Sequence, residues 1–229
     1  MIPKIIHQIW LQGHDSLPVK YHGSESKWRN VSPAADYFFW DEVSLERLVS
    51  NQYPEFLKVW TRLKPYIKKC DLARYLLLHH FGGIYADFDT TPHNDPFKLA
   101  PNLEIEGFDA IFCKESYEEI SWKTEASKSP EFSERPDKIV GNAVLLSRKS
   151  AKIWIDFIEV AIPRKDLSVL ESFSTWHLSR FLERRTDNDF IILEYKHLLS
   201  AKYYSGLSYV THDYDGSWFD RDSNVAWRI

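Results

Sequence analysis

The stretch GGIYADFDTT, Gly82 to Thr91, constrains this chain more than any other. A helical pattern, YIKKCDLARYLLLHHFGG, runs into it, with Ile67, Cys70, Ala73 and Leu77 recurring every three to four residues. Gly82 and Gly83 stop that helix, and IYADFD resumes as a strand. A helix that turns directly into a strand belongs in an α/β fold. The strand ends in Asp87 and Asp89. Burying an unpaired carboxylate costs on the order of several kcal/mol, so two at one strand end ask for a cation.

The rest of the chain repeats the alternation. KIIHQIWL reads as a first strand and ADYFFWDE as a second, with residues 13–33 between them read as loop. SLERLVSNQYPEFLKVWTRL reads as one or two helices, interrupted near Pro54. FDAIFCKE and IVGNAVLLSRKS are strand candidates, SAKIWIDFIEVAI and ESFSTWHLSRFLERR helices, and FIILEY and LSYVTHD late strands. These elements predict a three-layer α/β sandwich with a mostly parallel mixed sheet. The 229 residues suit a single domain, 1–229. Within it, 114–137 reads as a polar surface excursion.

Composition narrows the function. The net charge of -4 offers no basic field for nucleic acid. Aromatics make up 15%, with nine Trp, which serves a core and also suits stacking on sugars or bases. Two cysteines, Cys70 and Cys113, without a CxxC pair, indicate a reducing compartment. MIPKIIHQIWLQG has too short an apolar run for a signal or anchor, and no transmembrane segment is read anywhere. The expectation is a cytoplasmic protein, with a peripheral approach to a membrane left open.

In an extended segment, side chains at i and i+2 point to one side, so Asp87 and Asp89 can share a cation. Mg²⁺ in particular is held by one or two carboxylates plus substrate phosphates. Asp71 and Arg74, at i and i+3, share a helix face, and that helix runs into the same glycine turn. A guanidinium beside a carboxylate suits sugar hydroxyls and phosphate oxygens. Lys68 and Lys69 read as a solvated face, His79 and His80 as packing or capping residues, and Trp154 and Trp176 as core.

DLARYLLLHHFGGIYADFD resembles the central block of glycosyltransferase family 32, the DxD-containing sugar transferases. IPKIIHQIW, NVSPAADYFFWDE and IVGNAVLLS resemble its first, second and post-DxD strands, and HDYDGSW its C-terminal element. These blocks span nearly the whole chain in order. The resemblance implies a GT-A fold, a nucleotide-sugar donor (a UDP- or GDP-sugar), Mn²⁺ or Mg²⁺, and transfer with retention to a glycan or other hydroxyl acceptor, as in polysaccharide biosynthesis. It implies Trp10 stacking near the nucleotide base and Asp71, Arg74 and Asn142 at the donor sugar as the catalytic set. It also implies Tyr85 and Asp87 near the ribose and metal, Asp87, Asp89 and His212 as metal ligands, and Ser217 and Trp218 on the diphosphate. The segment 209–229 is expected to act as a C-terminal lid. VLESFSTWHLSRFL departs from the family by lacking its Gly-Pro dipeptide.

Two other readings stay open. YADFDTT also resembles the nucleophile motif of haloacid dehalogenase-type phosphohydrolases, with Asp87 as nucleophile and Asp89 as general acid. A non-catalytic carbohydrate-binding protein would use the aromatics alone.

Overall fold

The computed structural model describes residues 1–115, 138–201 and 208–216. The chain opens with β1 (Ile5–Ile9), passes two 3-10 turns (His14–Ser16 and Val19–Tyr21), and forms α1 (Ser24–Val31) and β2 (Asp36–Trp40). Helices α2 (Glu42–Gln52), α3 (Pro54–Trp60) and α4 (Tyr66–Phe81) lead into β3 (Gly83–Ala86) and β4 (Thr90–Pro92). A short α5 (Leu99–Asn102), β5 (Ala110–Lys114) and β6 (Val140–Ser147) follow. The described part ends with α6 (Ile153–Ala161), α7 (Thr175–Glu183), β7 (Phe190–Leu193), β8 (Leu199–Ala201) and β9 (Val210–His212).

The main sheet has the order β2-β1-β3-β6-β5-β7. β6 runs antiparallel to both neighbours, while β1 is parallel to β2 and β3, and β5 to β7. A second sheet, β4-β9-β8, pairs β9 antiparallel to β4 and parallel to β8. This is the mixed α/β sheet expected from the sequence.

The strands divide their side chains by the period of two. Tyr85, Ala110 and Phe112 join a core with α2, α3, α4, α6 and α7 on one face. Ile84, Ala86, Ile111 and Cys113 join a second core on the other face, with Trp28 of α1, Leu99 and Ala100 of α5, and Leu199 and Val210 of the small sheet. α2 begins where the Asp41 carboxylate accepts from the Ser44 N–H (2.8 Å) while Ser44 Oγ accepts from the Asp41 N–H (3.0 Å), a capping box. α3 begins on Pro54, whose missing N–H costs nothing in a first turn.

Two expectations are corrected. Residues 24–31, read within a loop, form α1; its core anchor is Trp28, fully buried, and a single apolar anchor leaves no periodicity to detect. Lys68 and Lys69, read as a solvated face, are buried. Lys68 Nζ donates to the carbonyls of Lys165 (2.8 Å) and Leu167 (2.6 Å), and Lys69 Nζ pairs with Glu42 at 2.5 Å. α4 is covered on almost every side, so its polar residues had to find partners inside the protein. Trp154 and Trp176 are core, and His79 bonds the Tyr53 hydroxyl at 2.8 Å.

The glycine turn between α4 and β3 admits no side chain. Gly82 and Gly83 have φ of 69° and 95°, and a Cβ on Gly83 would lie 2.4 Å from the Ile5 carbonyl oxygen. His7 stitches β1 to this turn. Its Nδ1 accepts from the Trp40 indole N–H at 3.1 Å, so Nε2 carries the proton and donates to the Gly82 carbonyl at 3.0 Å.

His7 is fully buried, and burial pushes its pKa down to about 4; burial does the same to His177, also to about 4. Both fold as neutral rings. A depressed histidine contributes stability that is complete above its unfolded pKa and lost as pH falls. Unfolding free energy should therefore hold above pH 6.5 and drop between 6.5 and about 4, by on the order of 3 kcal/mol for His7 alone. Denaturant titrations across that window check this, and a flat profile would contradict it.

Candidate active site

The carboxyl ends of β1 and β3 meet the start of β6, and α4 crosses behind them. From α4 come Asp71 and Arg74, one helical turn apart and both buried. Arg74 Nη2 lies 2.9 Å from Asp71 Oδ1. Its Nη1 donates to the Asn142 carbonyl of β6 at 2.6 Å and approaches Asp87 at 3.4 Å. Asn142 Nδ2 donates to Asp71 Oδ1 at 3.0 Å. The guanidinium carbon sits 4.5 Å from the centre of the Tyr85 ring, and the Tyr85 hydroxyl donates to Asp87. One cation thus joins a helix and two strands. Burial pushes the Asp71 carboxyl up to about 7, with Arg74 pulling it back. Burial also raises Asp87, against Arg74 and with the help of the Asp89 charge. Asp71 Oδ2 and Arg74 Nε have no hydrogen-bond partner among the described residues. Both belong to side chains that are almost wholly buried.

Asp87 and Asp89 do not sit in one extended strand, as the spacing suggested. β3 ends at Ala86, and the Thr90 N–H returns to the Asp87 carbonyl at 3.2 Å, which makes 87–90 a turn. The two carboxylates converge through the small sheet instead. β9 pairs with β4 in a register that sets His212 opposite Thr90. His212 Nε2 then lies 3.1 Å from Asp89 Oδ2. Asp87, Asp89 and His212 each present a ligand atom within 4.8 Å of the others. Burial works against charge on Asp89, but the adjacent His212 wins and holds its pKa below the ordinary range. Asp89 in turn raises His212 against the effect of burial. Two carboxylates suit a hard divalent ion, and an imidazole in the set favours Mn²⁺ over Mg²⁺, so the donor set fits the expected metal.

Trp10, just past β1, belongs to an aromatic cluster with Tyr21, Phe88 and Phe39. It packs with Tyr21 (ring centres 5.9 Å apart) and with Phe88, edge to face at 6.2 Å, between the two aspartates in sequence. Ser217 and Trp218 lie outside the described residues, as do 116–137 of the expected excursion and 217–229 of the expected lid.

The sequence reading missed Gln8. It is fully buried, its Nε2 donates to the Asp87 carbonyl at 3.1 Å, and its Oε1 accepts from Ser24 (3.1 Å) and Tyr37 (2.7 Å). The signal was there: a polar residue inside the apolar strand KIIHQIWL. Ser174 was missed as well. It precedes α7 but does not cap it, and its hydroxyl lies 3.4 Å from Asn142 Nδ2. It stands in the segment that lacks the family's Gly-Pro.

Residues 18–106 match the family model described as a glycosyltransferase sugar-binding region containing a DXD motif. An uncharacterised glycosyltransferase of Acanthamoeba polyphaga mimivirus is 38% identical over 90 residues, 39% of this chain and 36% of that protein. Inositol phosphoceramide mannosyltransferase 3 of Schizosaccharomyces pombe is 34% identical over 88 residues, 38% of this chain and 24% of that protein. The initiation-specific alpha-1,6-mannosyltransferase of Candida albicans is 31% identical over 93 residues, 38% of this chain and 24% of that protein. The match thus spans about a third or less of these relatives' length. Among solved structures, the PaToxG glycosyltransferase aligns with a TM-score of 0.53 at 15% identity, over 80% of this chain and 69% of that one. Mouse xyloside xylosyltransferase 1 aligns at 0.52 and 10% identity, over 94% and 99%. The similarity to the DxD-containing sugar transferases expected from the sequence is met over residues 18–106, and the fold is that of GT-A glycosyltransferases.

The buried network and the metal edge should respond differently to truncation. Arg74→Met strands the Asp71 carboxylate without its cation and should lower unfolding free energy by about 3–5 kcal/mol. Asp89→Ala, at the part-exposed edge, should cost about 1 kcal/mol or less. Combining Arg74→Met with Asp71→Leu should recover most of the first loss. Denaturant unfolding of the four proteins checks this, and equal losses for Arg74→Met and Asp89→Ala would contradict it.

Proposed function

We propose that this chain is the catalytic domain of a metal-dependent, retaining glycosyltransferase. It moves a hexose-type sugar from a nucleoside-diphosphate sugar to a glycan or other hydroxyl acceptor. The observation that carries this reading is the convergence of Asp87, Asp89 and His212 beside the buried Asp71–Arg74–Asn142 network. The mannosyltransferase names among the relatives favour mannose as the sugar.

The chemistry follows from charge. Breaking the sugar–phosphate bond leaves a nucleoside diphosphate with growing negative charge. Asp87, Asp89 and His212 would hold Mn²⁺ or Mg²⁺, which would supply the neutralising charge. Arg74 adds a second positive charge that needs no reorganisation, because Asp71, Asn142 and Tyr85 already fix it. Asp71 Oδ2 and Asn142 orient the sugar hydroxyls, and the carboxylate favours the oxocarbenium character of the anomeric carbon. Trp10 stacks near the base. The anomeric carbon–oxygen bond to phosphate breaks as the bond to the acceptor oxygen forms on the same face. The acceptor's proton passes to the departing phosphate oxygen. A cytoplasmic setting suits Cys70 and Cys113, which form no disulfide. Among the described residues, no helix is long and apolar enough to cross a membrane.

The phosphohydrolase reading asks Asp87 for a free attacking oxygen. Here Oδ1 accepts from Tyr85 and both oxygens face Arg74 at 3.4 and 3.5 Å, which disfavours that role.

A panel of GDP-mannose, UDP-glucose, UDP-galactose and UDP-N-acetylglucosamine tests the proposal. At least one donor should be hydrolysed or transferred in Mn²⁺ and spared in excess chelator. Asp89→Ala should lower that turnover by about 10²-fold or more. Full turnover in chelator, or an Asp89→Ala protein as active as the parent, would overturn the metal-dependent reading.

A further inference from the structure

Asp89 is held from a direction that the sugar-transfer reading does not use. Its Oδ2 accepts two hydrogen bonds, from His212 Nε2 and from the main-chain N–H of Asp215, each at 3.1 Å. An ion shared by Asp89 and His212 Nε2 would replace the bond between them. The Asp215 N–H then remains to orient the Asp89 carboxylate from outside the ligand set. Carboxylates that bind metals depend on such outer donors.

The turn that presents this N–H is strained and tethered. Tyr214 has φ of 51°, an uncommon left-handed conformation for an aromatic residue. It costs on the order of 1 kcal/mol and persists only where neighbours over-determine it. The tether is the Asp215 side chain. Its Oδ2 accepts from Lys20 Nζ at 2.7 Å and from the Tyr21 hydroxyl at 2.8 Å. Lys20 is 53% exposed, so its ion pair contributes little. Tyr21 is buried, with its ring packed 5.9 Å from Trp10 and 6.1 Å from Phe88, and it is the stronger anchor. The Asp213 N–H adds a bond to the Asp89 carbonyl at 2.9 Å.

We infer that Asp215 is a positioning residue for the metal site, fixing Asp89 through its main chain and anchored in turn by the Tyr21 hydroxyl. The inference rests on the reading of Asp87, Asp89 and His212 as ligands. It ties the proposed ligands to the aromatic cluster that holds Trp10. Ligand geometry at Asp89 thus depends on a 3-10 turn more than sixty residues earlier in the chain.

Titration of the whole chain with Mn²⁺ alone, followed by the electron paramagnetic resonance of free Mn²⁺, tests this without turnover. Asp215→Ala should raise the Mn²⁺ Kd about tenfold, as loss of an outer partner does. Tyr21→Phe should raise it severalfold, Lys20→Met less than about twofold, and Asp215→Asn, which can still accept from Tyr21, less than Asp215→Ala. Tyr21→Phe should add nothing in the Asp215→Ala background. With an active donor, kcat at saturating Mn²⁺ should stay within about twofold of the parent while the half-saturating Mn²⁺ rises. Parental Mn²⁺ affinity in a folded Asp215→Ala or Tyr21→Phe protein, with Asp89→Ala binding weakly, would overturn the positioning role and leave the ligand reading standing. Equal Mn²⁺ binding by the parent and Asp89→Ala would overturn the ligand reading and this inference with it.

Discussion

The buried guanidinium of Arg74 is the interaction on which the rest of the site depends. It touches the Asp71 carboxylate on its own helix, the Asn142 carbonyl on β6, and the Asp87 carboxylate just past β3. Taking that charge out of water is expensive, and only a set of partners placed together makes it tolerable. Those partners belong to elements far apart in sequence, so the helix, the glycine turn and the central strands must close on one another for any of them to be satisfied. Gly82 and Gly83 make the closure possible, because a side chain at either would strike neighbouring backbone.

The metal edge is built by other means. Asp89 and His212 are separated by most of the chain and meet because β9 adds to β4 immediately after the DxD turn. Three residues of pairing carry the histidine to the carboxylate. The edge is correspondingly more open than the Arg74 network, with side-chain exposures of 27% at Asp87 and 15% at Asp89 against 2% at Asp71. On the proposed reading, the dry, rigid side would hold the sugar and the more open side would admit an ion and a diphosphate.

Much of this was legible in the sequence because the signals were local. The α4 periodicity, the two glycines, the strands around the DxD and the i, i+3 pairing of Asp71 with Arg74 each lie within a few residues. The small sheet was less legible: β4 and β8 are three residues each, too short for alternation to register. The turn at 87–90 could not be told from an extended end, since Asp, Thr and Pro suit both. Lys68 and Lys69 were misread because nothing local marks a lysine as buried; the carbonyls that receive Lys68 lie about a hundred residues away. Ser174 illustrates the same limit, its contact with Asn142 being set by the fold, whereas Gln8 was marked by its place inside an apolar strand.

The central claim is that Asp89 and His212 hold a divalent ion against a nucleoside diphosphate. Crystals grown with Mn²⁺ and GDP or UDP, measured for anomalous scattering at the manganese edge, test it most directly. The account predicts a strong peak about 2–2.5 Å from ligand atoms of Asp89 and His212, with diphosphate oxygens completing its shell. An ordered nucleotide whose manganese lies away from both residues would contradict it.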